Sequence, residues 1–175
     1  MRGVRWRGSG RRQRDEEFTA FVAATAPRLR RTAYLMCGDW HLAQDLTQTA
    51  LARIYASWAR VQRSDNLDAY TRRVLMNAIF DQRKRRSSGE VVLAELPEPV
   101  ANHPEAAAEL HVTLMGVLAT LPVRDQAIVV LRYWEDHSVE TVADILGVSA
   151  SVVKTQSARA LTRLRAALGE EFART

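Results

Sequence analysis

The stretch HSVETVADILGVSASVVKTQSARALTRLRAAL, residues 137–168, decides how the chain is built. Val142, Ile145 and Leu146 recur at helical spacing. Ser138 stands where an N-cap accepts free amides, and Glu140 in the first turn suits the positive end of a helix dipole. Gly147 falls where a tight turn needs left-handed backbone. Ser149 can cap a second helix, Val152 and Val153 can pack it against the first, and Ala143 is small enough for the two to cross closely. This pattern predicts a helix-turn-helix, a motif whose second helix enters the DNA major groove by its N-terminal half. Ser151, Lys154, Thr155, Gln156, Ala158 and Arg159 are left on or near the exposed side. Lys154 and Arg159 suit guanine edges or phosphates, and Gln156 suits adenine. Arg163 and Arg165 extend the basic surface.

Working toward the N-terminus, Pro122 suits a first helical turn, and the helix it opens is expected to bury Ile128, Val129, Leu131 and Trp134. Val112, Leu114, Met115, Leu118 and Leu121 predict a further short helix, so that a small domain spans residues 109–172. Before it, residues 87–108 carry Pro97, Pro99 and Pro104 among Glu90, Glu95, Glu98 and Glu105. That is too long and proline-rich for a connection inside a compact domain, and it reads as an acidic linker.

Residues 15–86 predict a second helical domain. Its first helix should run from Asp15 to Met36 with a break at Pro27, which has no amide to donate. Gly38 and Asp39 then end one helix and cap the next, which should run from Trp40 to about Arg60 with Leu42, Leu46, Ala50, Ile54 and Trp58 inward. A third helix, Leu67 to about Arg86, should bury Tyr70, Val74, Leu75, Ala78 and Ile79. Arg72, Arg73, Asn77 and Gln82 then lie on its other faces. The expected fold class is all-α: two small helical domains joined by a flexible linker.

The composition is that of a globular protein, with 47% hydrophobic and 26% charged residues, and the net charge of +5 favours a polyanionic partner. Residues 1–14, MRGVRWRGSGRRQR, read as a disordered basic tail that adds non-specific attraction to DNA. They lack the apolar core of a secretory signal, and no apolar run reaches membrane-spanning length. The single cysteine, Cys37, cannot form an internal disulfide and sits among Tyr34, Leu35 and Met36, so a small buried hydrophobe in a cytoplasmic setting is expected. No Cys or His cluster has metal-ligand spacing, and no metal site or cofactor is expected.

The run GDWHLAQDLTQTAL, Gly38–Leu51, together with AYTRRVLMNAIFDQRKRR, Ala69–Arg86, and the LPVRDQAIVVLRYWEDHSVETVADILGVS segment, resembles the sigma-70 family of bacterial RNA polymerase sigma factors. The likeness is to the small extracytoplasmic-function (ECF) group, in a branch common in actinobacteria, and runs from about Phe18 to Leu168. The resemblance implies a promoter-specificity subunit that binds core RNA polymerase through the beta-prime clamp and the beta flap, reads −35 and −10 elements of promoter DNA, and assists melting. By resemblance Asp45, Leu46 and Gln48 dock on the clamp, with Gln44 and Thr49 standing where relatives carry Glu. The −10 element falls to Arg63 and Asn66 in a loop and to Arg73 and Asn77 on the following helix, with Arg72, Arg83 and Arg86 on the backbone. The −35 element falls to Lys154, Thr155, Ala158 and Arg159, with Lys154 where several relatives have arginine. An anti-sigma factor is a family expectation only.

Two other readings stay open on the residues alone. One is a free-standing helix-turn-helix regulator that binds an operator without polymerase. The other is an enzyme, but His41, His103, His111 and His137 are scattered and no nucleophile–base constellation is visible, so no catalytic residue is expected.

Overall fold

The computed structural model describes residues 8–88 and 105–173. The expected linker therefore falls largely outside the described residues, as does the first half of the basic tail. Among the described residues all regular structure is helical: α1 (Gly8–Cys37), α2 (Trp40–Ala56), α3 (Trp58–Val61), α4 (Leu67–Ser88), α5 (Glu105–Ala119), α6 (Val123–Val129), α7 (Val139–Leu146) and α8 (Ala150–Ala173). A π-helical turn over Val130–Trp134 continues α6. None of these helices is long and apolar enough to cross a membrane.

Four local expectations need correcting. First, α1 begins at Gly8, so residues 8–14, expected as disordered tail, are helical. Second, α1 runs through Pro27 without a break. Ala23 and Pro27 lie one turn apart on its exposed side, where solvent can satisfy the carbonyl that Pro27 cannot bond, and apolar contacts on both halves hold the helix together. Third, α2 stops at Ala56. The Ser57 amide bonds the Ile54 carbonyl and its hydroxyl the Arg53 carbonyl, and the chain restarts as α3. That break turns Trp58 onto Phe18 and Phe21, with ring centroids 5.2 and 4.9 Å away, and pins the N-terminal half of α1 to α2 and α3.

The fourth correction matters most. Trp134, expected inward with Ile128, Val129 and Leu131, is 58% exposed, while Glu135 is buried. The π turn adds one residue to the helical register, and the Glu135 amide bonds back to the Val130 carbonyl five residues earlier at 3.0 Å. Tyr133 and Trp134 rotate out, and Leu131 and Glu135 rotate in.

The first domain is an α1–α2–α4 bundle. Thr32, Thr47 and Thr71 are buried, one on each helix; Thr47 and Thr71 dispose of their hydroxyls on the carbonyl four residues back, at 2.7 and 2.8 Å, whereas the Thr32 hydroxyl donates to the Glu135 carboxylate, with the Arg28 carbonyl within reach as its alternative. The second domain packs α5, α6, α7 and α8 around Leu118, Ile128, Leu131, Val142, Ile145, Val153 and Ala160. The two are not separate beads. Their buried apolar side chains form one continuous cluster, and α7 lies on α4.

The predicted helix-turn-helix is present with its caps. Ser138 Oγ accepts the Thr141 amide at 3.0 Å, and Ser149 Oγ the Val152 amide at 3.3 Å. Gly147 is left-handed, φ +65°, and the Val148 amide closes the turn on the Ala143 carbonyl at 3.1 Å. A Cβ added at Gly147 would meet open space, so Gly147→Ala tests backbone strain alone. It should cost about 1–2 kcal/mol and lower the thermal midpoint by a few degrees; an unchanged midpoint would mean the turn does not need its left-handed residue.

Candidate nucleic-acid interface

The recognition helix α8 has a clear division of faces. Val153, Ser157, Ala160 and Leu164 are buried, while Lys154, Thr155 and Ala158 stand exposed beside one another near its N-terminal end. Arg159 is exposed too, but it is not free. Its guanidinium donates to both carboxylate oxygens of Asp125 at 3.2 Å, and Arg163 approaches the same group at 3.7 Å. Asp125 sits buried in the first turn of α6. The carboxylate thus fixes where Arg159 can reach, which the spacing within α8 could not reveal.

In the first domain, Arg63 and Asn66 are exposed in the loop between α3 and α4. The loop is shaped by the Ser64 amide bonding the Val61 carbonyl at 2.9 Å. Asn77 and Arg73 are exposed one turn apart on α4. Arg72, expected away from the buried stripe and on the DNA backbone, is only 1% exposed. Its Nε donates to Glu135 Oε2 at 2.7 Å and its Nη1 to Asp68 at 2.6 Å. Arg73 donates to the Asp144 carbonyl, at the end of α7, at 2.5 Å. Two of the expected −10 residues are thus engaged by the other domain. Arg83 donates to the Met36 carbonyl near the end of α1 at 2.9 Å, and Lys84, Arg85 and Arg86 stay exposed at the cationic end of α4.

On α2, capped by Asp39 at 2.9 Å to the Leu42 amide, Asp45 and Gln48 are exposed. Leu46, expected to dock on a partner, is 5% exposed and belongs to the core. The stripe that predicted the helix had already placed Leu46 inward; the family motif runs across both faces.

Sequence reasoning missed Glu135 and Asp125. Asp125 lies three and four residues before the buried Ile128 and Val129, in helical register, whereas Glu135 is brought inward by the π turn. A buried carboxylate signals itself in a sequence only through that register, and Trp134 offered a more obvious apolar choice. The second missed group is Tyr34, which stacks between Trp40 and His111, at centroid distances of 4.2 and 5.8 Å, and shares a 3.2 Å hydrogen bond with His111. Cys37 is half-buried. Burial is the largest influence on its thiol and raises the pKa, opposed in part by the hydrogen bond to the Asp39 carbonyl and by the nearby Arg83 and Arg86 charges.

The sequence matches the descriptions "Sigma-70 region 2" over residues 21–89 and "Sigma-70, region 4" over residues 117–166. It is 41% identical to the RNA polymerase sigma-E factor of Streptomyces coelicolor over 150 residues, 85% of this chain and 84% of that one. The chain belongs to the sigma-70 family. It is also 30% identical to the ECF RNA polymerase sigma factor SigE of Mycolicibacterium smegmatis, over 88% of this chain and 62% of that one. The fold is that of the sigma factor RpoE of Bartonella quintana, solved with the anti-sigma factor NepR, with a TM-score of 0.74 over 88% of this chain and 98% of that one at 22% identity. A second neighbour is CnrH, solved with the cytosolic domain of CnrY, with a TM-score of 0.67 at 21% identity and 87% and 88% of the two chains covered. The sigma factor is of the ECF group and directs promoter-specific initiation of transcription. Its region 2 is the α1–α4 body and its region 4 carries the helix-turn-helix.

Two outcomes check these placements. Leu46→Ala should cost about 2–5 kcal/mol of stability, whereas Asp45→Ala and Gln48→Ala should leave the urea midpoint nearly unchanged; a silent Leu46→Ala would return that residue to the surface. Cys37 should be alkylated several-fold more slowly in the folded chain than in urea at pH 7.5. That gap should narrow as pH rises, because raising the thiol pKa lowers its thiolate fraction most at neutral pH.

Proposed function

We propose that this sigma factor works through three exposed faces. Asp45 and Gln48 on α2 meet core RNA polymerase at the beta-prime clamp, without Leu46, which supports the face from beneath. Arg63, Asn66, Arg73 and Asn77 take the −10 strand, the loop residues accepting a base and Arg73 a phosphate. Lys154, Thr155 and Ala158 enter the major groove at the −35 element, with Arg159 aimed by Asp125 toward the backbone beside them. Region 4 would meet the beta flap on a surface away from α8.

The observation that carries this reading is the two-sidedness of α8. Its polar, cationic residues stand together on one face while the other face is closed off in the core, as a groove-reading helix requires. The net positive charge adds the sequence-independent attraction that such a reader uses. All three faces act by binding, with no covalent step, in the cytoplasm where polymerase works. The proposed division takes residues 15–86 and 109–172 as the two domains, with the segment between them as tether. Tethering makes engagement of the second element effectively intramolecular once the first is held. Because two structural neighbours were solved with anti-sigma factors or a partner's cytosolic domain, an anti-sigma factor is proposed as the partner that holds this chain inactive.

Run-off transcription with purified core polymerase and genomic promoter fragments tests the reading. The chain should yield discrete transcripts that core alone does not make. Lys154→Ala should weaken promoter use by about 1–3 kcal/mol, roughly 5- to 150-fold, and Asp45→Ala with Gln48→Ala should lose co-purification with core. A palindromic footprint on DNA without polymerase would contradict the reading and favour a free-standing regulator.

A further inference from the structure

Asp125 places a negative charge beneath a helix that is to meet a polyanion. Its side chain is only 2% exposed, in the first turn of α6. Two arginines on successive turns of α8 share it: Arg159 Nη2 donates to both carboxylate oxygens at 3.2 Å, and Arg163 Nη1 lies 3.7 Å from one of them. Both arginine side chains stay about half in solvent, at 52% and 51%. Arg124, the neighbouring cation on α6, is turned elsewhere, with its guanidinium 5.8 Å from the centre of the Phe80 ring.

This is a poor way to hold two helices together. Taking a carboxylate out of water is costly, and half-exposed arginines return little of that in stability. An apolar residue of similar size would join α6 to α8 with less penalty. The carboxylate therefore has its use in what α8 does at DNA.

The charges and the bonding pattern give that use. Two guanidinium groups and one carboxylate leave a single positive charge over, so the cluster offers phosphate half the charge that the arginines alone would carry. Both hydrogen bonds from Arg159 come from Nη2, so its Nε and Nη1 are not used by the pair. A guanidinium is planar and rigid, and holding one nitrogen sets where the remaining edge lies. Thr155, Arg159 and Arg163 form one strip of α8 at four-residue spacing, beside the strip of Lys154 and Ala158. An arginine without that anchor follows phosphates through many poses of the helix, whereas an anchored one accepts few.

We propose that Asp125 is a positioning residue that sets the specificity of α8. It cancels one of the two arginine charges and fixes Arg159, so that phosphate is met only in the pose where Lys154 and Thr155 reach base edges. The carboxylate weakens binding to DNA at large and thereby widens the gap between the cognate −35 element and all other sequence, the quantity on which choosing a promoter depends. Asp125 itself touches no base. This proposal rests on the reading that α8 meets the −35 element.

Two measurements test it. Binding of the full chain to a short duplex of mixed sequence is followed across a salt series. Holoenzyme made with the same chain is compared on a promoter fragment recovered by run-off transcription and on that fragment with its −35 element scrambled. Asp125→Asn keeps the shape and removes the charge. It should bind the mixed duplex several-fold more tightly at low salt, with a log–log salt slope steeper by about 1. Its holoenzyme should lose roughly tenfold of the preference for the intact −35 element. In an Arg159→Gln background the same change should leave that preference unmoved, which a merely structural Asp125 would not give. Should Asp125→Asn lower the thermal midpoint, Arg163→Gln decides the matter by leaving the carboxylate to Arg159 alone: the slope should become shallower by about 1 and the preference should rise. An Asp125→Asn chain whose salt slope matches the parent, a preference that falls equally in the Arg159→Gln background, or an Arg163→Gln holoenzyme that loses preference would overturn the proposal. Lys154→Ala judges the −35 reading separately. If neither that variant nor scrambling the element changes transcription, the reading fails, and the salt slope on mixed duplex still decides the role of Asp125.

Discussion

The arrangement depends on one constraint: a carboxylate stripped of water must be given charge and hydrogen bonds in return. Glu135 is that carboxylate. The π turn puts it inward, the left-handed Asp136 that follows lets the chain turn away toward Ser138, and α7 starts from there. Region 2 answers with Arg72, Arg28 and Thr32. Buried ion pairs add little net stability relative to well-packed apolar groups, but they penalise every arrangement that leaves one partner alone. The pair therefore specifies how the two domains meet more than it strengthens either.

Asp125 and Arg159 repeat the theme within region 4. There a buried acid holds an arginine whose side chain remains half in solvent. The acid is on α6 and the arginine on α8, so the scaffold helix and the second helix of the helix-turn-helix are tied together. A reading helix is most selective when its side chains arrive already oriented, and a carboxylate that holds Arg159 Nη2 from beneath helps orient that side chain.

Much of this was legible in the sequence, for physical reasons. The helix-turn-helix declared itself because each of its devices is local: Ser138 and Ser149 cap within three residues, and Gly147 answers a backbone need of its own turn. The apolar stripes of α2 and α4 were legible because helical periodicity is a short-range signal. What stayed hidden was set by partners distant along the chain. Arg72 is indistinguishable in sequence from Arg73, yet one is sealed under Glu135 and the other reaches the end of α7. Pro27 looked like a break because the packing that carries α1 past it comes from α2 and α3. Leu46 was assigned to a partner by a motif and to the core by its stripe, and the stripe carried the physical reason.

The central claim is that the free chain is one closed body held across its seam. Small-angle X-ray scattering of the free protein addresses it without labels or variants. The account predicts a radius of gyration near that of a compact chain of this length, about 16 Å. A radius well above 20 Å at low salt, the signature of two beads on a tether, would contradict it.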